Sequence, residues 1–167
     1  MQNRFGGENE DGQTTKKRAK TTQENDVNGT LYLDAKGTIY QPAECIRQAL
    51  INAGKAFKKG RSSLTKTVAS FVDISPEAIP HLETKWETDR RAVVIPSTKG
   101  RVMRNRARFN EWELEFTATI LDVDEINEKT MNDLLVYAGN YLGIGDYRPE
   151  KKGMFGRFMV VSFKESK

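Results

Sequence analysis

The chain is poor in the residues that build redox and metal chemistry, holding one cysteine, Cys45, and one histidine, His81, in 167 residues. A lone thiol excludes an intramolecular disulfide and any multi-cysteine zinc site, so an oxidising compartment is not implied. A lone imidazole leaves no second histidine to share a metal and no paired cysteine nucleophile. No apolar run approaches the roughly 18 residues needed to span a bilayer, and the start of the chain lacks the charged-then-apolar order of a signal peptide. The expected compartment is the cytoplasm. Internal repeats and coiled-coil heptads are missing too. Residues 1–28 hold almost no aliphatic side chains and surround the basic cluster Lys16-Lys17-Arg18-Ala19-Lys20. They read as a flexible polar and basic arm or loop, leaving 29–167 as a single α+β domain, within the usual size of about 100–200 residues.

Order is expected to begin at Leu31-Tyr32-Leu33 and to turn through Asp34-Ala35-Lys36-Gly37 into Thr38-Ile39-Tyr40, a small hairpin. Pro42 suits a first helical turn and Glu44 complements the positive end of a helix. Ile46, Ala49, Leu50, Ala53 and Phe57 then recur at the spacing of one buried helical face, with Cys45 among them as a small hydrophobe. A second, short helix is expected to use Ser62 or Ser63 as N-cap and to bury Leu64, Val68 and Phe71. Ser75-Pro76-Glu77 and Pro80 read as turns in a compact connector. Ala92-Val93-Val94-Ile95 reads as a strand that ends in a turn over residues 96–100.

Period-two patterns dominate residues 104–120. Trp112, Leu114, Phe116, Ala118 and Ile120 alternate with Glu111, Glu113, Glu115, Thr117 and Thr119, predicting a strand with one apolar and one wet face. The preceding Arg104, Arg106 and Arg108 share a parity, which in an extended chain places three guanidinium groups on one face within about 14 Å. The glutamates are expected to pair across strands with these arginines. A second long helix is predicted from near Asn127, with Ile126 and Met131 as a hydrophobic staple and Met131, Leu134, Leu135, Ala138 and Leu142 facing the core. A glycine-rich loop over 143–153 and a closing strand over 155–163 complete the reading.

The chemistry on offer is cationic. Lys and Arg number 27 against 23 Asp and Glu, a net charge of +4 with pI near 9.1, which permits a polyanionic partner. Between residues 47 and 66 six bases, Arg47, Lys55, Lys58, Lys59, Arg61 and Lys66, stand without a single acid. In the late loop, Gly143 and Gly145 let backbone amides approach a ligand. Arg148, Lys151, Lys152 and Arg157 supply phosphate-neutralising charge there, and Tyr147 and Phe155 supply rings for base stacking. A dinucleotide fingerprint is excluded, because the third glycine is missing and the loop follows a helix rather than a strand. Asp122, Asp124 and Glu125 lack EF-hand spacing and suit the start of the following helix. No cofactor, metal or catalytic group is expected. The competing readings are a ribonuclease with His81 as general base and a phage-encoded protein-binding module that mimics or inhibits a host nucleoprotein complex. The second of these would use the stretch 111–128, with seven acids and no base.

The order of elements, with Ile39-Tyr40-Gln41-Pro42 leading into the first helix and Gly143-Ile144-Gly145 through Gly153-Met154-Phe155-Gly156-Arg157 after the last, resembles the RAMP superfamily of CRISPR-associated RNA-binding proteins. The segment Arg104-Asn105-Arg106-Ala107-Arg108-Phe109-Asn110-Glu111-Trp112 is similar to an Arg-x-Arg-x-Arg-Phe-x-x-Trp motif in a group of phage-encoded proteins. Together the resemblance spans about residues 38–163. It implies a ferredoxin-like antiparallel sheet with two main helices on one face, although nothing before residue 31 supplies the long first strand of that fold. It also implies binding of single-stranded nucleic acid without cleavage, RNA ahead of DNA, with copies of the chain repeating along the strand.

Overall fold

The computed structural model describes Val27, residues 29–94, Ser97 and residues 99–165. Apart from Val27, the expected N-terminal arm lies outside the described residues. The expectation of one domain over 29–167 meets a chain that separates into two compact units, one of Met1–Leu33 with Glu83–Trp112 and one of Asp34–Leu82 with Glu113–Lys167. The fold is α+β, with small antiparallel sheets and three α-helices among the described residues.

The larger unit begins with an Asx turn. The Asp34 carboxylate accepts from the backbone N–H groups of Lys36 and Thr38, both at 2.8 Å, where the sequence pattern predicts a turn. Strand β1, Tyr40–Pro42, then delivers Pro42 as the cap of helix α1, Ala43–Ala53. Its buried face is Ile46, Ala49, Leu50 and Ala53, as the spacing predicts. Phe57 lies beyond the helix end and packs edge-on against Tyr137, the ring centres 5.6 Å apart.

The expected serine cap is corrected. Ser62–Ser63 form strand β3 and pair with Lys58–Lys59, strand β2, in a hairpin that turns at Gly60. Helix α2, Thr65–Phe71, is capped by Leu64 with no side-chain hydrogen bond. The hairpin uses the serines' backbone groups in a ladder, and the Ser63 hydroxyl donates to the Thr65 hydroxyl at 3.2 Å instead of accepting from a backbone N–H of the helix. Leu64 and Val68 are buried as expected.

The connector expected around Ser75 and Pro80 is instead two strands, β4, Val72–Ser75, and β5, Ala78–Pro80. β5 pairs with β1, and β4 pairs with β8, Thr117–Ile120. The register sets Val72 opposite Ile120 and Ile74 opposite Ala118, while Asp73 and Ser75 face Thr119 and Thr117. Apolar pairs on one face and polar pairs on the other hold the strands together, each pair contributing roughly 0.2–1 kcal/mol. Exposure alternates along the whole of 111–120 as the sequence predicts, but only its last four residues form β8. Upstream, Leu114 makes a single bridge with His81.

Helix α3, Glu128–Tyr137, starts at Asn127, whose side chain accepts from the Thr130 N–H at 2.9 Å. Ile126 and Met131 are both fully buried, as a hydrophobic staple requires. The helix then loosens into a π-turn, Ala138–Leu142. Helix α1 packs against α2, α3 and β4, and the fully buried Leu50, Val68, Val72, Ile79, Ile126, Met131 and Leu134 form the core between them.

The closing strand expected over 155–163 carries no strand pairing among the described residues. Its backbone instead lies against the π-turn, with the Phe158 N–H donating to Gly139 O at 3.2 Å. The second unit is dominated by a hairpin of β6, Glu87–Val94, and β7, Arg101–Arg108, paired along all eight positions. The described strands thus form four two-stranded antiparallel sheets. No helix among the described residues is long and apolar enough to cross a membrane.

Candidate nucleic-acid interface

The charge on the β6–β7 hairpin is laid out by its register. Arg108 stands opposite Glu87, Arg106 opposite Asp89 and Arg104 opposite Arg91, so these six side chains share one face. The Arg108 guanidinium lies 3.7 Å from the Glu87 carboxylate, and Arg91 holds Asp89 at 2.6 Å along the same strand. The expectation that Arg104, Arg106 and Arg108 pair with Glu111, Glu113 and Glu115 is therefore corrected. The acids across the ladder are Glu87 and Asp89, because the arginine strand closes a sequence-local hairpin with β6, and β8, the strand that continues the glutamate run, pairs with β4. Four arginines meet two carboxylates on this face. The opposite face carries Arg90, Ala92, Val94, Arg101 and Met103, all exposed. The side chains of Arg90 and Arg101 form no hydrogen bond or ion pair among the described residues.

At its base the hairpin is tied down. The Ala107 N–H donates to the Thr30 hydroxyl at 3.0 Å, and that hydroxyl donates to Val27 O at 2.7 Å. Asn105, in the middle of the arginine strand, is the buried polar residue of the described chain. Neither feature was legible in the pattern of charges.

The basic run of the larger unit divides by role. Arg47 donates from Nε to Val72 O at 3.1 Å and from Nη2 to Ala69 O, and it lies 3.9 Å from Asp73. It thereby satisfies carbonyls at the end of α2, where a cation is favoured. Lys59 donates to Asp124 O at 2.9 Å and pairs with Glu125 at 3.0 Å. Lys55, Lys58 and Arg61 are exposed, and their side chains form no hydrogen bond or ion pair among the described residues.

The glycine-rich loop folds on itself. Arg148 binds both the Glu150 carboxylate, at 2.8 Å, and Gly145 O, at 3.0 Å. Glu150 in turn accepts from Asn52 of α1 at 2.8 Å. Tyr147 and Phe155 meet edge to face with centres 5.6 Å apart, and Arg157 donates to Asn140 O at 3.2 Å. Gly143, with φ +69°, brings the chain against Gly156, where a β-carbon would stand 1.8 Å from Ile144 O. These contacts are the loop's own packing. Gly145 has φ +86° and open space around it, and Lys151 and Lys152 are exposed. The structure brings Arg148 to Gly145 and Tyr147 to Phe155, while Arg157 turns to Asn140.

For catalysis the inventory is short. His81 is half-buried, and burial lowers its pKa from the ordinary 6.5, favouring the neutral ring. Among the described residues no group of three His, Cys, Asp or Glu side chains could hold a metal ion. Asp122, considered for a divalent cation from its sequence, accepts from the N–H groups of Asp124 and Glu125 at 3.0 and 3.2 Å. Comparison of the chain with protein-family models, curated proteins and solved structures finds no match.

Proposed function

We propose that the chain is a non-catalytic nucleic-acid-binding protein that holds a single strand, RNA ahead of DNA. The observation that supports this reading is the distribution of charge. Residues 87–108 carry seven arginines and lysines against two carboxylates, a surplus of five that exceeds the +4 of the whole chain. The remainder is slightly acidic, so the positive field is local to the hairpin. That surplus already counts Glu87 and Asp89. Lys55, Lys58, Arg61, Lys151 and Lys152 add exposed charge in the larger unit, and of the two rings in the glycine-rich loop Tyr147, 38% exposed, is the one open to stacking, with Tyr141 of the preceding π-turn at 63%.

The preference for RNA, the repetition of copies along a strand and a cytoplasmic setting rest on the RAMP resemblance and on composition. A ferredoxin-like unit belongs to the same proposal. What supports it is the sequence β1, α1, the antiparallel pair β4 and β8, and α3, with the β2–β3 hairpin, α2, β5 and the β6–β7 hairpin standing between these elements in the chain.

Replacing Arg104, Arg106 and Arg108 by alanine is expected to weaken binding of a mixed-sequence RNA strand. The slope of log affinity against log salt should fall by about 0.7 for each phosphate that is no longer neutralised. Anisotropy titrations at several salt concentrations measure this. A slope equal to that of the wild type, in a variant with an unchanged melting temperature, would overturn the assignment of these arginines.

A further inference from the structure

We propose that the β6–β7 hairpin is a ribbon that seats in the major groove of a double-stranded DNA segment, a duplex site that shares Arg104, Arg106 and Arg108 with the single-strand surface and adds Arg90 and Arg101. The inference rests on the nucleic-acid reading above and departs from it in ligand class.

Three observations carry it. First, residues 87–108 contain no Phe, Tyr or Trp. Single-strand binding without sequence preference relies on aromatic platforms on which bases stack, and the most cationic element of the chain has none. A duplex keeps its bases stacked on each other and asks only for charge and shape.

Second, the cations occupy both faces of the ribbon. Arg91, Arg104, Arg106 and Arg108 share one face, and Arg90 and Arg101 lie on the other, Arg101 opposite Val94 and Arg90 opposite Asn105. A single strand lying on one face would leave Arg90 and Arg101 without a phosphate. A groove has a phosphate wall on each side, so a ribbon within it meets both. Third, the dimensions agree. Two paired strands are about 4.8 Å apart, and the major groove of B-form DNA, about 12 Å wide, admits a two-stranded ribbon. The major groove of A-form RNA is too deep and narrow for side chains to read, which favours DNA as the duplex. Ala92, Val94 and Met103 are exposed beside Arg90 and Arg101 and present apolar surface of the kind that meets thymine methyl groups.

The test compares a DNA duplex of about 20 base pairs with one of its own single strands, using the full chain, Arg90→Ala with Arg101→Ala, and Arg90→Lys with Arg101→Lys. The alanine pair should lower the duplex salt slope by about 1.8, two phosphates at about 0.9 each, and lower the single-strand slope by less than about 0.7, the value of one phosphate contact. The lysine pair should restore the slope, which separates charge from folding. Duplex binding by the alanine pair that equals the wild type overturns the ribbon proposal and leaves the single-strand reading standing. Single-strand binding by the wild type more than tenfold tighter than duplex binding also overturns it. A wild-type chain that binds neither probe overturns both readings.

Discussion

His81 illustrates how one side chain ties stability to pH without entering any catalytic scheme. It bridges Leu114, and its burial holds the folded-state pKa below the ordinary value of 6.5. Because the unfolded chain binds the proton more readily, the stabilisation is complete above pH 6.5 and is lost as pH falls through the folded-state value. Asp34 and Glu83, whose carboxylates are held low chiefly by the backbone N–H groups of Thr38 and Lys85, titrate at more acid pH. Thermal melts at pH 7.5 and pH 5 should therefore show a larger fall for the wild type than for His81→Gln. Equal falls would mean that the imidazole titrates alike in the folded and unfolded chain. Arg47 makes a related point about charge. Read from sequence it belongs to a basic surface, yet its guanidinium satisfies the carbonyls of Ala69 and Val72. A charged side chain's partners are set by what the fold brings within hydrogen-bonding reach, about 3 Å, and sequence neighbours do not report that.

At the level of elements, the π-turn after α3 and the extended segment beyond it form one packed piece. A β-carbon on Gly139 would stand 2.1 Å from Phe158 O and 2.9 Å from the Phe158 ring. Gly139→Ala must push the terminal segment away from the helix. The expected loss is about 1–3 kcal/mol, a fall in melting temperature on the order of 5 °C. Met159→Ser, at a side chain 81% exposed beside that contact, should change stability by less than about 0.5 kcal/mol. Parallel melts decide it, and an unchanged Gly139→Ala melt would mean the segment is not held there. Sequence periodicity disclosed α1 and α3 because each buries a continuous stripe of its own residues. It missed β4 and β5, which are four and three residues long and are defined by partners far away in the chain, Ile120 for Val72 and Tyr40 for Pro80. Short strands carry too few alternations to be seen, and their pairing is a tertiary fact.

Across the whole molecule, the two units differ in how much core each owns. The largest fully buried side chains lie in the unit of α1, α2 and α3, while the arginine hairpin has mostly half-buried or exposed positions. A two-stranded ribbon is marginal in stability when it must stand by itself. Hydrogen exchange on the intact chain should therefore show slower exchange for the amides of Ile46, Leu50, Met131 and Leu134 than for those inside β6 and β7. Equal protection across both sets would show that the hairpin unfolds only with the helices. Mobility in a cationic ribbon is compatible with groove binding, since contacts to phosphate order it at the moment of association.

The sequence by itself determined where the two long helices run, which of their faces are buried, that residues 111–120 alternate wet and dry, and that three arginines share a face of a strand. Each is a local property, readable from a repeat of 3.6 or 2 because the responsible residues are neighbours in the chain. Only the tertiary structure decided which strand lies opposite those arginines, that Arg47 and Arg148 bind carbonyls and carboxylates of their own unit, that the glycine loop closes on itself, and that Arg90 and Arg101 occupy the far face of the ribbon. The physical reason is that register and side-chain partnership depend on distances between residues far apart in sequence. A one-residue slip in the β6–β7 pairing would have exchanged every contact across it.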